Sequence, residues 1–253
     1  MSARQLPPVV SMLDARDDPG KLYFGRSCWI PLDELDSRLH ELPPPGSPLF
    51  VPSSQAETLD FLAQIGRPAT PVETAPDLTK CPRTRLWHTN PLLDLARGKG
   101  RALDLGCGSG RDALALSASG YHVTAVDWLE TAVQKARELE WRTFGDNLID
   151  WEVRDLRYGF PEGKFDLIVM FSFFKIELLR TAFQHLTPGG QLMIEMFTEE
   201  HQAAMGKPKH VTSERELMGL LGEMQCSHLE SGWRGDRHTV RGAWIKPDQP
   251  IVQ

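Results

Sequence analysis

Cysteine is scarce in this chain. Four occur in 253 residues, Cys28, Cys81, Cys107 and Cys226, with no C-x-x-C pair and no regular spacing. That excludes a disulfide framework and makes a structural zinc site unexpected; a reducing cytoplasm is the expected setting. There is no excess of positive charge either. Lys and Arg number 28 against 34 Asp and Glu, for a net charge of −6 and no basic block. Nucleic acid is therefore not the expected main partner, since neutralising phosphates takes a Lys/Arg-rich face. No apolar run approaches membrane-spanning length, and the N-terminus lacks the basic-then-apolar pattern of a leader. Two phosphate-binding signatures are missing as well: there is no Gly-Lys-Ser/Thr and no Gly-x-Gly-x-x-Gly.

What is present instead is the run from Arg101 to Asp127. It reads as a short apolar strand, a glycine turn, a helix, and a second strand ending in an acid. Gly106, Gly108 and Gly110 are evenly spaced and preceded by Asp104; Arg111 stands where a dinucleotide motif wants its third glycine. Glycine belongs where backbone must turn tightly and approach a ligand, because a Cβ would clash there. Asp127 lies about 20 residues on, where a βαβ unit places the partner of ribose hydroxyls. The plainer alternative is a glycine turn in an α/β domain of another kind.

Residues 66–85 carry four prolines and little periodicity, the pattern of a linker or wrapping arm. The expected organisation is a small domain over 1–66, a linker over 67–85 and a larger domain over 86–253. The larger domain alternates strand and helix signals, which predicts an α/β fold with a mainly parallel sheet covered on both faces. Predicted strands are Arg101–Leu105, His122–Val126, Leu148–Arg154, Phe165–Phe171 and Gly190–Phe197. Predicted helices are Gly110–Ser119, Glu130–Trp141, Lys175–Leu186 and Ser213–Leu221, the last opened by a Ser213/Glu216 capping box. An antiparallel hairpin, Cys226–Gly232 with Arg237–Lys246, is expected to close the sheet around an Arg-Gly-Asp turn.

The glycine motif resembles motif I of the class I S-adenosylmethionine-dependent methyltransferases. The cofactor of that family has a ribose and an amino-acid tail but no phosphate, which suits a glycine turn with an acid before it. The likeness extends to Arg154-Asp155-Leu156, Phe165-Asp166-Leu167-Ile168-Val169 and Leu186-Thr187-Pro188-Gly189-Gly190-Gln191-Leu192, and covers about two thirds of the chain. Leu86-Trp87, Asn90-Pro91-Leu92-Leu93 and Gly110-Arg111-Asp112-Ala113 narrow it toward the tellurite-resistance and thiopurine methyltransferases. The resemblance implies a Rossmann-like sheet of five parallel strands with the antiparallel hairpin at its end.

The N-terminal piece resembles a degenerate rhodanese. Leu13-Asp14-Ala15-Arg16, Trp29-Ile30-Pro31-Leu32-Asp33-Glu34-Leu35 and the strand Pro48–Pro52 follow that family's order. Rhodanese chemistry needs a cysteine in the loop after that strand, and here the loop reads Ser53-Ser54-Gln55-Ala56-Glu57. A serine hydroxyl cannot carry transferable sulfur, so sulfurtransferase activity is not expected.

For the larger domain, the resemblance implies that Asp104, Gly106, Cys107, Gly108 and Gly110 wall the cofactor, with Leu156 and Phe171 beside it. Arg111 would meet the cofactor carboxylate, or be an exposed helix arginine. Asp127 would accept both ribose hydroxyls, or be an exposed strand-end acid. Trp128 would pack on the adenine, or lie in the core. Asp155 would meet the adenine amino group, or cap its own turn. Trp87 would cover the cofactor's sulfonium with its ring face, or be a buried packing residue. Cys107 reads as a small wall residue. The segment Phe171–Lys175 sits where the family presents its substrate side, and the lack of an Asn-Pro-Pro-Tyr tetrad argues against methylation of base or glutamine amino groups. His238, Arg241 and His210 are the candidate catalytic groups, with Glu195, Glu199 and His201 as further pocket residues, although any one histidine also reads as solvated or packed. No metal is expected. The expected activity is methyl transfer to a small-molecule acceptor such as a thiol or another chalcogen. Two alternatives stay open: a tRNA or protein methyltransferase docking through the N-terminal piece, and a non-catalytic cofactor-binding scaffold.

Overall fold

The computed structural model describes residues 5–17, 27–73, 84–173, 175–206 and 210–248. Two compact units divide the chain, one spanning Leu6–His88 and one running from Thr89 onward. The boundary thus falls later than the linker read from the prolines. Thr70–Val72, inside that expected linker, is a strand. Pro71 is tolerated there because the strand, as far as described, pairs on one side only. Residues 74–83, with Cys81, lie outside the described part.

The first unit is a small α/β structure. Strands β1 (Leu13–Asp14) and β2 (Cys28–Trp29) pair in parallel, as do β3 (Phe50–Pro52) and β4 (Thr70–Val72). A parallel bridge, Met12 to Phe50, joins the two pairs. Helices α1 (Leu32–Leu35) and α2 (Ala56–Gln64) accompany them. Leu13, Ile30, Leu35, Leu42, Val51 and Leu62 form a core with no solvent exposure.

The second unit follows the alternation read from the sequence. Its strands are β5 (Arg101–Leu105), β6 (His122–Asp127), β7 (Asp150–Val153), β8 (Phe165–Phe171), β9 (Leu186–Phe197), β10 (Gln225–Arg234) and β11 (Arg237–Ile245). The helices are α3 (Arg111–Ala118), α4 (Glu130–Phe144), α5 (Ile176–His185), α6 (Glu199–Met205) and α7 (Glu214–Leu220). The strands form one sheet in the order β10-β11-β9-β8-β5-β6-β7, in which β11 runs antiparallel to both its neighbours and the pairs from β9 to β7 are parallel. This is the expected mainly parallel Rossmann-like sheet with an antiparallel hairpin.

Strand direction explains where a ligand can enter. The chain winds outward from β5 in both directions, to β6 on one side and β8 on the other. At such a switch point the connections leave a crevice beyond the strand C-termini. Leu103, Leu105, Val126, Ile168 and Met170 are wholly buried in the sheet's core, so the turn after Leu105 rests on a rigid base. Two boundaries moved by three residues or more from their expected places. Helix α4 continues to Phe144 and ends at left-handed Gly145, whose N–H returns to the Trp141 carbonyl at 2.8 Å. Strand β9 begins at Leu186 and not Gly190, because Leu186 pairs with Phe165 and Gly189 donates to the Lys246 carbonyl at 3.0 Å.

Candidate active site

The turn after β5 is held by its own backbone. Gly106 and Cys107 both donate to the Val126 carbonyl, at 2.8 and 3.0 Å, and Gly110 donates to the Cys107 carbonyl at 2.9 Å. The three glycines all have positive φ, +74°, +52° and +85° in order. Gly110 is packed tightly, since a Cβ there would lie 2.5 Å from the Trp151 ring and 2.9 Å from Ala136. At Gly108 the same construction meets nothing within 4 Å. The missing side chain therefore leaves free space beside the turn.

Asp127 closes β6 with both carboxylate oxygens in use. Oδ2 accepts the Gly108 N–H at 2.9 Å and Oδ1 accepts the Leu129 N–H at 2.9 Å. A carboxylate oxygen has a second accepting site, so the group is oriented and still able to bind a pair of vicinal hydroxyls. It lines a crevice of about 430 Å³ together with Gly106, Trp128, Asp155, Leu156 and Phe173. That size falls within the range of small-molecule sites. Trp128 is 64% exposed, which rules out the core reading and leaves its ring available for stacking.

Asp155 takes the turn-cap reading given for it. It caps its own turn, accepting the Arg157 N–H at 2.9 Å, and it is paired with the Arg157 side chain through Nε at 2.9 Å and Nη2 at 2.5 Å. The Arg157 side-chain bonds, then its backbone N–H, hold the carboxyl down to about 2. Beside the turn, Phe173 lies where a Cβ of Gly106 would be, and Ser172 takes a φ of +56°, the sole positive value outside glycine among the described residues. Phe171, half-buried at the end of β8, pairs in register with Glu195.

Buried acids surround the turn. Asp104, 3% exposed, is pushed well above the ordinary carboxylate range, chiefly by burial and further by Asp112 and Asp127. Burial, with the charges of Asp104 and Asp127, likewise drives the Cys107 thiol far upward. Cys107 is thus held as the neutral thiol, which argues against a nucleophilic role.

One group of contacts was not anticipated. Asn90 donates its backbone N–H to Asp112 Oδ1 at 2.8 Å and its side-chain amide to Glu195 Oε2, and its own Oδ1 accepts the Leu92 N–H at 3.0 Å. Glu195 also accepts from Thr239 Oγ1 at 3.0 Å and Arg241 Nε at 2.8 Å. Asn90 therefore fastens the first turn of α3 to β9 and β11. The sequence carried Asn90 as part of a motif, but no spacing rule joins positions 90, 112 and 195.

Burial, aided by the Glu195 charge, raises Asp112 to about 6, against the Asn90 and Arg111 contributions that lower it. The folded value lies above the unfolded one, so the folded state holds the extra proton between pH 4 and 6. Stability is lost as pH rises through that window. Asp112→Asn keeps the acceptor for Asn90 without the buried charge. Its melting temperature is expected to exceed the parent's by a few degrees at pH 8, with the gap closing near pH 4. An equal gap at both pH values in differential scanning calorimetry would contradict this assignment.

The remaining candidates scatter. Arg111 is half-buried at the start of α3. Trp87 belongs to the first unit and is 1% exposed, as the packing reading expects; the Arg85 guanidinium sits 3.9 Å from its ring centroid. Arg241 is committed to Glu195. His238 has its Nδ1 2.6 Å from Thr198 Oγ1 and its backbone N–H on His201 Nδ1 at 3.3 Å, with Trp233 edge-on at 5.2 Å. His201 stacks on Phe197 at 4.5 Å, and Glu199 opens α6 on the surface. His210 lines a different cavity. Of the three candidate catalytic groups, His238 and Arg241 are thus bonded to different neighbours and His210 lines a separate cavity.

Comparison with solved structures agrees with this fold. A SAM-dependent methyltransferase of Methanosarcina mazei is 20% identical, with 63% of this chain and 99% of that one covered at a TM-score of 0.52. TehB from Haemophilus influenzae is 22% identical, covering 61% and 59% at 0.52. An S-adenosylmethionine-dependent methyltransferase from Mesorhizobium loti is 19% identical, covering 61% and 95% at 0.51. No curated protein matches the chain. The family described as methyltransferase domain matches residues 83–232. With more than half of its length so matched, this chain belongs to the methyltransferase-domain family.

Proposed function

We propose that this protein transfers a methyl group from S-adenosylmethionine to a small-molecule acceptor, with a thiol or another chalcogen the first class to test. The observation that carries the reading is the anchored Asp127 carboxylate at the rim of the crevice beside the glycine turn. When bound, the cofactor supplies an electrophilic methyl group on a sulfonium. Asp127 would take the ribose hydroxyls, Trp128 would lie on the adenine, and the wall of Asp104, Gly106 and Cys107 would flank the amino-acid tail. Holding the donor in one orientation is the main service a displacement of this kind requires. An acceptor already present as thiolate needs no general base, which suits a site whose Arg241 and His238 are bonded to neighbouring residues.

We read the first unit as rhodanese-like but without sulfur transfer. The loop after β3 carries no thiol, and its Gln55 is bonded through Nε2 to Asp14 Oδ1 and through Oε1 to the Ala15 N–H, both at 2.9 Å. Thiosulfate with cyanide should give no thiocyanate.

Calorimetric titration with S-adenosylhomocysteine should show one saturable site. Incubation with S-adenosylmethionine and a panel of a thiol, selenite and arsenite should yield S-adenosylhomocysteine with at least one member. Binding without turnover on the whole panel would remove the chalcogen class; absence of any saturable heat would remove the cofactor.

A further inference from the structure

Beside the cofactor crevice lies a larger cavity of about 750 Å³, walled by Leu156, Ile176, Leu178 and Val211 and edged by charged groups. The two spaces meet at Leu156, Arg157 and Lys175, which line both. Two cations stand at this shared wall. Arg157 is occupied by Asp155. Lys175 acts on the same carboxylate, lowering its proton affinity from a distance. One anion thus faces two cations where the cavities join. Of the acids on the other walls, Glu216 already accepts the Thr212 hydroxyl at 2.6 Å, and Glu177 is exposed in the first turn of α5.

We propose that this second cavity binds a small apolar carboxylate, head toward Lys175 and Arg157 and body among Leu156, Ile176, Leu178 and Val211, and that its binding tightens the cofactor site. The coupling follows from Arg157. In the present arrangement its guanidinium and backbone N–H bond both Asp155 oxygens, leaving that carboxylate poorly placed to accept an adenine amino group. A second carboxylate in the adjoining cavity competes for Arg157, frees accepting capacity on Asp155, and so favours adenine. Coupling of this type is reciprocal, so the cofactor must favour the carboxylate by the same factor. The coupling rests on the adenine reading of Asp155; the cavity and its cations do not.

The probe is 4-phenylbutyrate, with 4-phenylbutylamine as its charge-reversed counterpart, titrated into the full chain with and without saturating S-adenosylhomocysteine. The acid should bind and the amine should not. S-adenosylhomocysteine should bind on the order of fivefold more tightly when the acid is present. Thr181→Trp places an indole in the second cavity alone and should strongly weaken binding of the acid while S-adenosylhomocysteine affinity measured without it stays unchanged, which also reports that the variant is folded. Arg157→Ala should weaken the acid, which keeps Lys175, and should lose the coupling, with S-adenosylhomocysteine bound at least as tightly as by the parent whether or not the acid is present. Equal binding of the amine, no saturable binding of the acid, or acid binding indifferent to Thr181→Trp overturns the site. Acid binding that leaves S-adenosylhomocysteine affinity unchanged overturns the coupling. Failure of S-adenosylhomocysteine to bind the parent protein strikes the cofactor reading instead.

Discussion

Asp127→Ala is expected to weaken S-adenosylhomocysteine binding on the order of 100-fold, because bonds to an ionised acceptor are among the strong ones and two hydroxyls would lose theirs together. The substitution also removes the acceptor for the Gly108 and Leu129 N–H groups, so the turn loses its tether as the ligand loses its anchor. Asp127→Asn separates these effects only in part. An amide has one accepting oxygen, and its NH₂ must face either the Gly108 or the Leu129 N–H, donor against donor. Its affinity should fall between those of the parent and the alanine variant. Calorimetry on both variants, with circular dichroism to confirm folding, decides the matter. Alanine binding like the parent would show that the ribose is held elsewhere.

Much of this crevice is local in sequence, and that is why it could be read there. Strand, turn, helix and terminal acid occupy 27 consecutive residues, Arg101 to Asp127. Each step is dictated by nearby chemistry: glycine where φ is positive, apolar residues where the strand is buried. Strands β5 and β8 fall where the apolar runs end, and Ser213 caps α7 through the Glu216 N–H as the capping pattern requires. The start of β9 was missed for a physical reason. Pro188-Gly189-Gly190 has the composition of a turn, and Gly189 does take a left-handed φ of +72°, yet the pairings of Leu186 with Phe165 and of Gln191 with Leu167, and the Gly189 N–H on Lys246, keep it within the strand through partners that are not adjacent in sequence.

The same limit hid the buried polar contacts. Asn90, Asp112 and Glu195 meet only because β9 lies beside β8 and α3 packs over the sheet. Glu140 is another such case. It is wholly buried inside α4, where it accepts the Leu148 and Ile149 N–H groups at 2.6 and 3.0 Å and the Trp151 indole N–H at 2.8 Å. A glutamate on a helix ordinarily reads as solvent-facing. Here it caps the loop that leads into β7 and fixes the ring that covers Gly110.

That ring makes the glycines of the motif separable by experiment. Gly110→Ala must adopt a left-handed φ of +85° with its Cβ 2.5 Å from Trp151, and Trp151 cannot swing away without breaking its bond to Glu140. Backbone strain of about 1 kcal/mol and overpacking of about 2 kcal/mol add to about 3 kcal/mol, a fall in melting temperature on the order of 10 °C. Gly108→Ala carries the backbone strain alone, since its Cβ meets no neighbour within 4 Å, and should cost about 1 kcal/mol. Its methyl group enters the free space beside the turn instead, so S-adenosylhomocysteine should bind about tenfold more weakly, a loss of about 1.4 kcal/mol. One alanine is thus expected to act mainly on melting temperature and the other mainly on the binding isotherm. Scanning calorimetry and titration of both variants test the division: if Gly108→Ala binds like the parent, the ligand does not lie against this turn, however well the acid at the end of β6 is placed to receive it.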